Sequence, residues 1–105
     1  MNSQELANKI KEILDDKKGI DIEIIHVGEK TTLTEYFVIV TGTSSTHVKA
    51  LAGEVEAKLS EEGMVPLNFE RKMSDSWIAL DYKDVIVHVF SQEARELYDL
   101  EKLWK

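Results

Sequence analysis

The sequence predicts a single α/β domain of the α+β kind, with a mixed, mostly five-stranded sheet carrying packed helices. Its element order reads αββαβββα, followed by a short C-terminal helix. Three observations carry this reading. Tyr36 to Thr41 is a nearly unbroken apolar run, the pattern of a central strand covered on both faces. Val48, Leu51, Ala52, Val55 and Leu59 recur at helical spacing directly after it, so a long crossover leaves that strand. Two β-rich runs, Trp77 to Tyr82 and Val85 to Phe90, are separated only by Lys83 and Asp84, which makes them an antiparallel hairpin. One long crossover combined with one tight hairpin gives a mixed sheet.

The remaining elements follow in order. Asn2 or Ser3 can cap a first helix with Glu5 in its first turn, and Leu6, Ile10, Ile13 and Leu14 share one face of it. Lys17-Lys18-Gly19 end that helix. Ile20, Ile22 and Ile24 then alternate with Asp21 and Glu23, a half-buried strand that stops at Gly28. Glu29 to Thr34 connects it to the central strand. The helix after the central strand stops at Glu61-Glu62-Gly63. Met64 to Phe69 reads as a short edge strand, because Pro66 has no N–H to give a ladder. Glu70 to Ser76 is a polar loop. Beyond the hairpin, Ser91 caps a short helix and Asp99 caps another turn.

At 105 residues the chain has room for one core and one site or surface. With 43% apolar and 31% charged residues it is composed like a folded domain and not a disordered one. No run approaches membrane-spanning length, and the start lacks the basic-then-apolar layout of a secretory signal, so a cytoplasmic location without membrane contact is expected. The absence of cysteine excludes disulfides, thiol catalysis and thiolate metal sites. Twenty acidic residues against 13 basic ones leave a net charge of −7. A primary nucleic-acid binder needs clustered Lys and Arg, so a basic protein is the better partner.

Gly42-Thr43-Ser44-Ser45 resembles a phosphate-binding turn, since it leads from a strand into a helix whose free N–H groups and dipole favour an anion. His47 and Lys49 in the first turn add to that. However, no glycine-rich loop ending in Gly-Lys-Ser/Thr is present, and no Gly-x-Gly-x-x-Gly. A small nucleotidyltransferase-like enzyme would also need paired carboxylates for magnesium. The candidates, Glu54 and Glu56, lie on a helix, where alternate residues point about 200° apart. A serine-capped turn is therefore the preferred reading of Gly42 to Ser45, and neither catalytic residues nor a cofactor are expected. His26, His47 and His88 lack metal-ligand spacing. His88 is either a satisfied core histidine or one emerging at a contact surface, the first being favoured. Trp77, Tyr82, Phe90, Tyr98 and Trp104 gather among acids in the C-terminal third, which suits either a core with a solvated rim or an acidic, aromatic interface.

Three blocks, "EYFVIVTGTSSTHVKALAGEVE", "WIALDYKDVIVHVF" and "EARELYDLEKLW", closely resemble the Iojap family, the ribosomal silencing factors, across nearly the whole chain. The resemblance implies a nucleotidyltransferase-like topology without that chemistry. It further implies binding to the large ribosomal subunit through the basic L-fourteen protein, with little direct nucleic-acid contact. Joining of the small subunit is thereby obstructed and translation repressed when nutrients are scarce. Homodimerisation of the free chain is left open. Tyr36-Phe37-Val38, Gly42, Ser44, His47 and Phe90 fit the family pattern, and the partner-binding set it implies is Trp77, Asp81, Tyr82, Asp84, His88, Arg95, Glu96, Tyr98 and Trp104. Two positions depart from that pattern. Glu35 stands for the usual aspartate, and Lys83 for the usual glycine. Lysine resists the positive φ that glycine accepts, so the hairpin is expected to use another turn type. Trp77 and Asp81 share a sheet face opposite Ile78 and Leu80, which makes theirs the candidate contact face.

Overall fold

Asn2 opens the first helix, α1 (Ser3–Asp16), by accepting from Glu5 N–H at 2.8 Å. The helix closes in a Schellman pair, with Gly19 N–H on Leu14 O at 2.8 Å and Lys18 N–H on Asp15 O at 2.9 Å. Lys18, not the expected Gly19, takes the left-handed conformation, at φ 62°. Gly19 serves packing instead: a Cβ there would meet Val40 Cγ2 at 2.6 Å. The computed structural model describes residues 1–67 and 74–105.

Strand β1 (Ile20–His26) pairs antiparallel with β2 (Tyr36–Gly42), and its register shifts between Ile20 and Glu23. The irregularity centres on Asp21, at φ 50°. A simple alternation therefore holds only beyond it, with Ile22 and Ile24 facing the helices and Ile25 facing away. Helix α2 (Ser45–Ser60) follows, capped by Ser44. It ends as expected at Glu61-Glu62-Gly63, where Gly63 is left-handed at φ 78°. Strands β3 (Trp77–Asp81) and β4 (Val85–Ser91) form the expected antiparallel hairpin, and β4 lies parallel to β2. Two short helices, α3 (Gln92–Tyr98) and α4 (Leu100–Trp104), end the chain. Ser91 caps α3 through Ala94 N–H, whereas Asp99 makes no side-chain cap and instead turns the chain at φ 43°.

Among the described residues the sheet has four strands, in the order β1-β2-β4-β3, and not the five expected. Residues 64–67 are not a strand, although Leu67 N–H donates to Asp81 O at 2.7 Å on the outer edge of β3. One bond beside a proline does not make a ladder. The rest of the expected strand, Asn68 and Phe69, and the loop reading for residues 70–73 lie outside the described residues. Both central strands are covered on both sides. Helices α1 and α2 bury Val38, Val40, Ile78, Leu80, Val85, Val87 and Val89 on one face. On the other face, Ile25, Phe37, Ile39 and Phe90 meet Ala94, Leu100 and Trp104 from α3 and α4. This second face is only half covered, and that leaves a surface.

Candidate functional site: the half-covered sheet face

Alternation along β3 sends Trp77, Ala79 and Asp81 to the second face, and β4 sends Ile86, His88 and Phe90 beside them. Trp77 lies opposite Phe90, with ring centroids 5.0 Å apart, and Tyr98 from the end of α3 approaches Trp77 at 4.6 Å. Such spacings are those of favourable aromatic pairs. Further along, Phe37 meets His88 edge-on at 4.7 Å and Trp104 at 5.3 Å. A cleft of about 370 Å³ opens between Trp77, Ala79 and Tyr98, edged by Ser74 and Ser76. Ser74 Oγ accepts from Trp77 N–H at 3.0 Å and so fixes the start of β3 at the cleft.

The sequence-derived set separates into groups. Trp77, Tyr98 and Trp104 come together on this face, with Asp81 two residues beyond Ala79 on the same side. Asp84 is exposed at the hairpin end. Tyr82 is a correction: it is buried in the core under α1 and α2 and does not face outward. Its position after Ile78 and Leu80, at a spacing of two, already placed it there. His88 is only 7% exposed, so it lies beneath the surface instead of on it. It accepts from Trp77 Nε1–H through Nδ1 at 3.2 Å, which puts its proton on Nε2. Burial pushes its pKa down to about 4, so the ring is neutral. The favoured reading of a satisfied core histidine is half right: Nε2 is buried with no hydrogen-bond partner among the described residues.

Arg95 and Glu96 belong to a different place. Arg95 holds Glu101 by two bonds, Nε to Oε1 at 2.9 Å and a second guanidinium nitrogen to Oε2 at 3.1 Å. It also donates to Thr41 Oγ1 at 2.9 Å, and with a side chain 10% exposed it works as an internal clamp. The hydrogen bond from Arg95 lowers the pKa of Glu101 and outweighs the opposing effect of burial. Glu96 is exposed and accepts from Gln92 at 2.9 Å, beside an open acidic hollow with Asp21, Glu23 and Asp99. Ala79 and Ser74, which line the cleft, were missed. Ala79 was legible, since it alternates with Trp77 and Asp81.

The Gly42 to Ser45 turn is held together internally. Thr43 N–H donates to His47 Nδ1 at 2.9 Å while His47 Nε2–H donates to Lys17 O at 2.9 Å, tying the turn to the end of α1. His47 is thus engaged in structure. Gly42 is required by closeness, because a Cβ would meet Val48 N at 2.9 Å. Glu54 and Glu56 both lie on α2, and Glu54 pairs with Lys17 at 3.4 Å. Among the described residues, no three His, Asp or Glu side chains gather as a metal site, and no helix is long and apolar enough to cross a membrane.

Fold and face together define a small α+β domain that presents one half-covered aromatic sheet face. The family profile described as "Ribosomal silencing factor during starvation" matches residues 1–105. A Chromobacterium violaceum protein called ribosomal silencing factor RsfS is 38% identical over 104 residues, covering 99% of this chain and 85% of its own. A solved structure from that organism superposes with a TM-score of 0.93 at 38% identity, over 99% of this chain and 87% of that one. A mouse relative called "Mitochondrial assembly of ribosomal large subunit protein 1" is 33% identical over 88% of this chain and 42% of its own length. The chain belongs to the ribosomal silencing factor family, as the three sequence blocks suggested.

Proposed function

We propose that this protein represses translation without catalysis, by docking on the large ribosomal subunit through its basic L-fourteen protein and obstructing small-subunit joining. The observation that carries this reading is the Trp77–Tyr98 cleft on a half-covered face of a chain with net charge −7. Aromatic side chains at a partly desolvated cleft are the usual anchors of a protein interface. The chain's negative charge repels ribosomal RNA and attracts a basic protein set within it. A face burying about 800 Å² per partner is sufficient for specific docking. The name of the mouse relative, which refers to the large subunit, points the same way. Steric obstruction needs no reactive group, and the internally bonded Gly42 to Ser45 turn supports a structural role for the segment that most resembles a nucleotide site.

The test is subunit joining followed on sucrose gradients. Added to separated subunits, the protein is expected to co-sediment with large subunits and lower the yield of joined ribosomes, while ribosomes already assembled stay intact. Unchanged profiles at a several-fold excess would sink the proposal. Titration with magnesium and ATP or GTP is expected to give no binding heat.

A further inference from the structure

We infer that His88 is the positioning residue of the aromatic face: its Nδ1 holds the Trp77 indole in the orientation that closes the cleft against Tyr98. The consequence for binding rests on the function proposed above, whereas the positioning itself rests on geometry alone. Trp77 and His88 are diagonal neighbours across the hairpin, since Trp77 pairs with Phe90 and Ala79 with His88. The indole N–H reaches Nδ1 at 3.2 Å. His88 cannot swing away to follow a different Trp77 rotamer, because it is packed edge-on to Phe37 at 4.7 Å and stacked on Phe90 at 6.0 Å. A fixed acceptor therefore selects one setting of a half-exposed ring, and Tyr98 then meets that ring at 4.6 Å.

The identity of residue 88 is otherwise hard to explain. Burying an imidazole whose Nε2 has no hydrogen-bond partner among the described residues is unfavourable, and an aliphatic side chain would fill the same space without that cost. Neighbours Val87 and Val89 show what the strand accepts where only packing matters. What histidine supplies and leucine does not is the acceptor for Trp77. Because burial holds the ring neutral, Nδ1 stays available as an acceptor at neutral pH. His88 thus touches no partner and acts through Trp77, which changes its role from a contact residue to a support.

The experiment compares His88→Leu, which removes the acceptor, with His88→Gln, which retains one. Three readouts are used: melting temperature, the NMR signal of the Trp77 indole N–H, assigned against Trp104 with Trp77→Phe, and affinity for purified large subunits. His88→Leu is expected to melt at or above the parent. Its Trp77 indole proton should nevertheless shift and exchange with solvent about tenfold faster, and its affinity should fall about tenfold. His88→Gln should restore most of the signal and the affinity. An unmoved Trp77 signal in a folded His88→Leu protein would overturn the inference, as would equal losses in the leucine and glutamine variants. If the parent itself fails to bind large subunits, the proposed function falls while the indole signal still decides the positioning.

Discussion

Arg95 and Glu101 face each other across the left-handed turn at Asp99, joined by bonds of 2.9 and 3.1 Å that fold α4 back against the sheet. The same guanidinium reaches Thr41 Oγ1 on β2, so one side chain fixes both C-terminal helices to the central strands. Lys30 Nζ on Trp104 O at 2.9 Å and Lys105 on Glu23 at 3.0 Å secure the far end from exposed positions. Exposed pairs of that kind contribute little, so the clamp rests on Arg95.

Arg95→Ala is accordingly expected to destabilise the domain by about 2 kcal/mol, because it leaves Thr41 and a half-buried carboxylate without their donor. Amide exchange over residues 99–105 should accelerate more than exchange in α1 or α2. A melting curve superimposable on the parent's would show that apolar packing of Leu100 and Trp104 alone holds the segment.

The hairpin makes a second prediction. Lys83 takes φ 73° after all, with Asp84 N–H on Tyr82 O at 2.9 Å and its own N–H on Asp81 Oδ1 at 2.8 Å. The expectation that lysine would avoid positive φ is corrected: the turn keeps the strained residue and bonds around it, as a γ-turn. A left-handed residue with a Cβ costs roughly 1 to 2 kcal/mol, part of which glycine returns through greater freedom in the unfolded chain. Lys83→Gly should therefore raise stability by a net of about 0.5 kcal/mol. Chemical denaturation resolves that difference, and a lower midpoint would count against the strain.

Much of this architecture was legible because it is set locally. The apolar run at Tyr36, the helical spacing from Val48 to Leu59 and the two-residue gap at Lys83-Asp84 each name their element without reference to the rest of the chain. Which residues share the half-covered face was legible for the same reason, from the alternation of Trp77 with Ile78. What stayed hidden depends on distant partners. His47 bonds to Lys17 O across 30 positions, and Arg95 meets Glu101 across a turn that breaks any helical spacing. The fifth strand was expected because Met64 to Phe69 has the composition of a strand, yet among the described residues of that stretch only Leu67 N–H finds the neighbouring edge.

Acid should weaken the fold in two stages. His88 has a folded pKa near 4 against a usual 6.5, so the unfolded chain binds its proton first. The stability tied to its neutral form is complete above pH 6.5 and declines as pH falls towards 4, by roughly 3 kcal/mol in all. Glu101 is also depressed, from 4.5, chiefly by its hydrogen bond to Arg95. Its share is present above that value and is lost further down. His88→Leu should flatten the melting temperature between pH 6.5 and 4, and Glu101→Gln should reduce the slope below 4.5. A parent-like slope in both variants would assign acid sensitivity to other carboxylates.

The last prediction separates contact from core along a single strand. Asp81 lies half-buried on the face of Trp77 and Ala79, whereas Leu80 is fully buried under α1 and α2. Asp81 also bonds to Lys83 N–H, so Asp81→Lys should lower stability by about 1 kcal/mol and still fold. If the aromatic face receives a basic partner, reversing that charge should weaken binding to large subunits by at least about tenfold. Asp84→Lys, at the exposed hairpin end, should mainly slow association and lessen its dependence on salt. Leu80→Asp should fail to fold, because it places an unpaired charge in a closed core. Melting temperature and binding kinetics measured on the three variants distinguish these outcomes. A folded Asp81→Lys protein that binds as tightly as the parent would move the interface along the same face, to the C-terminal segment where Tyr98 and Trp104 supply the aromatic surface.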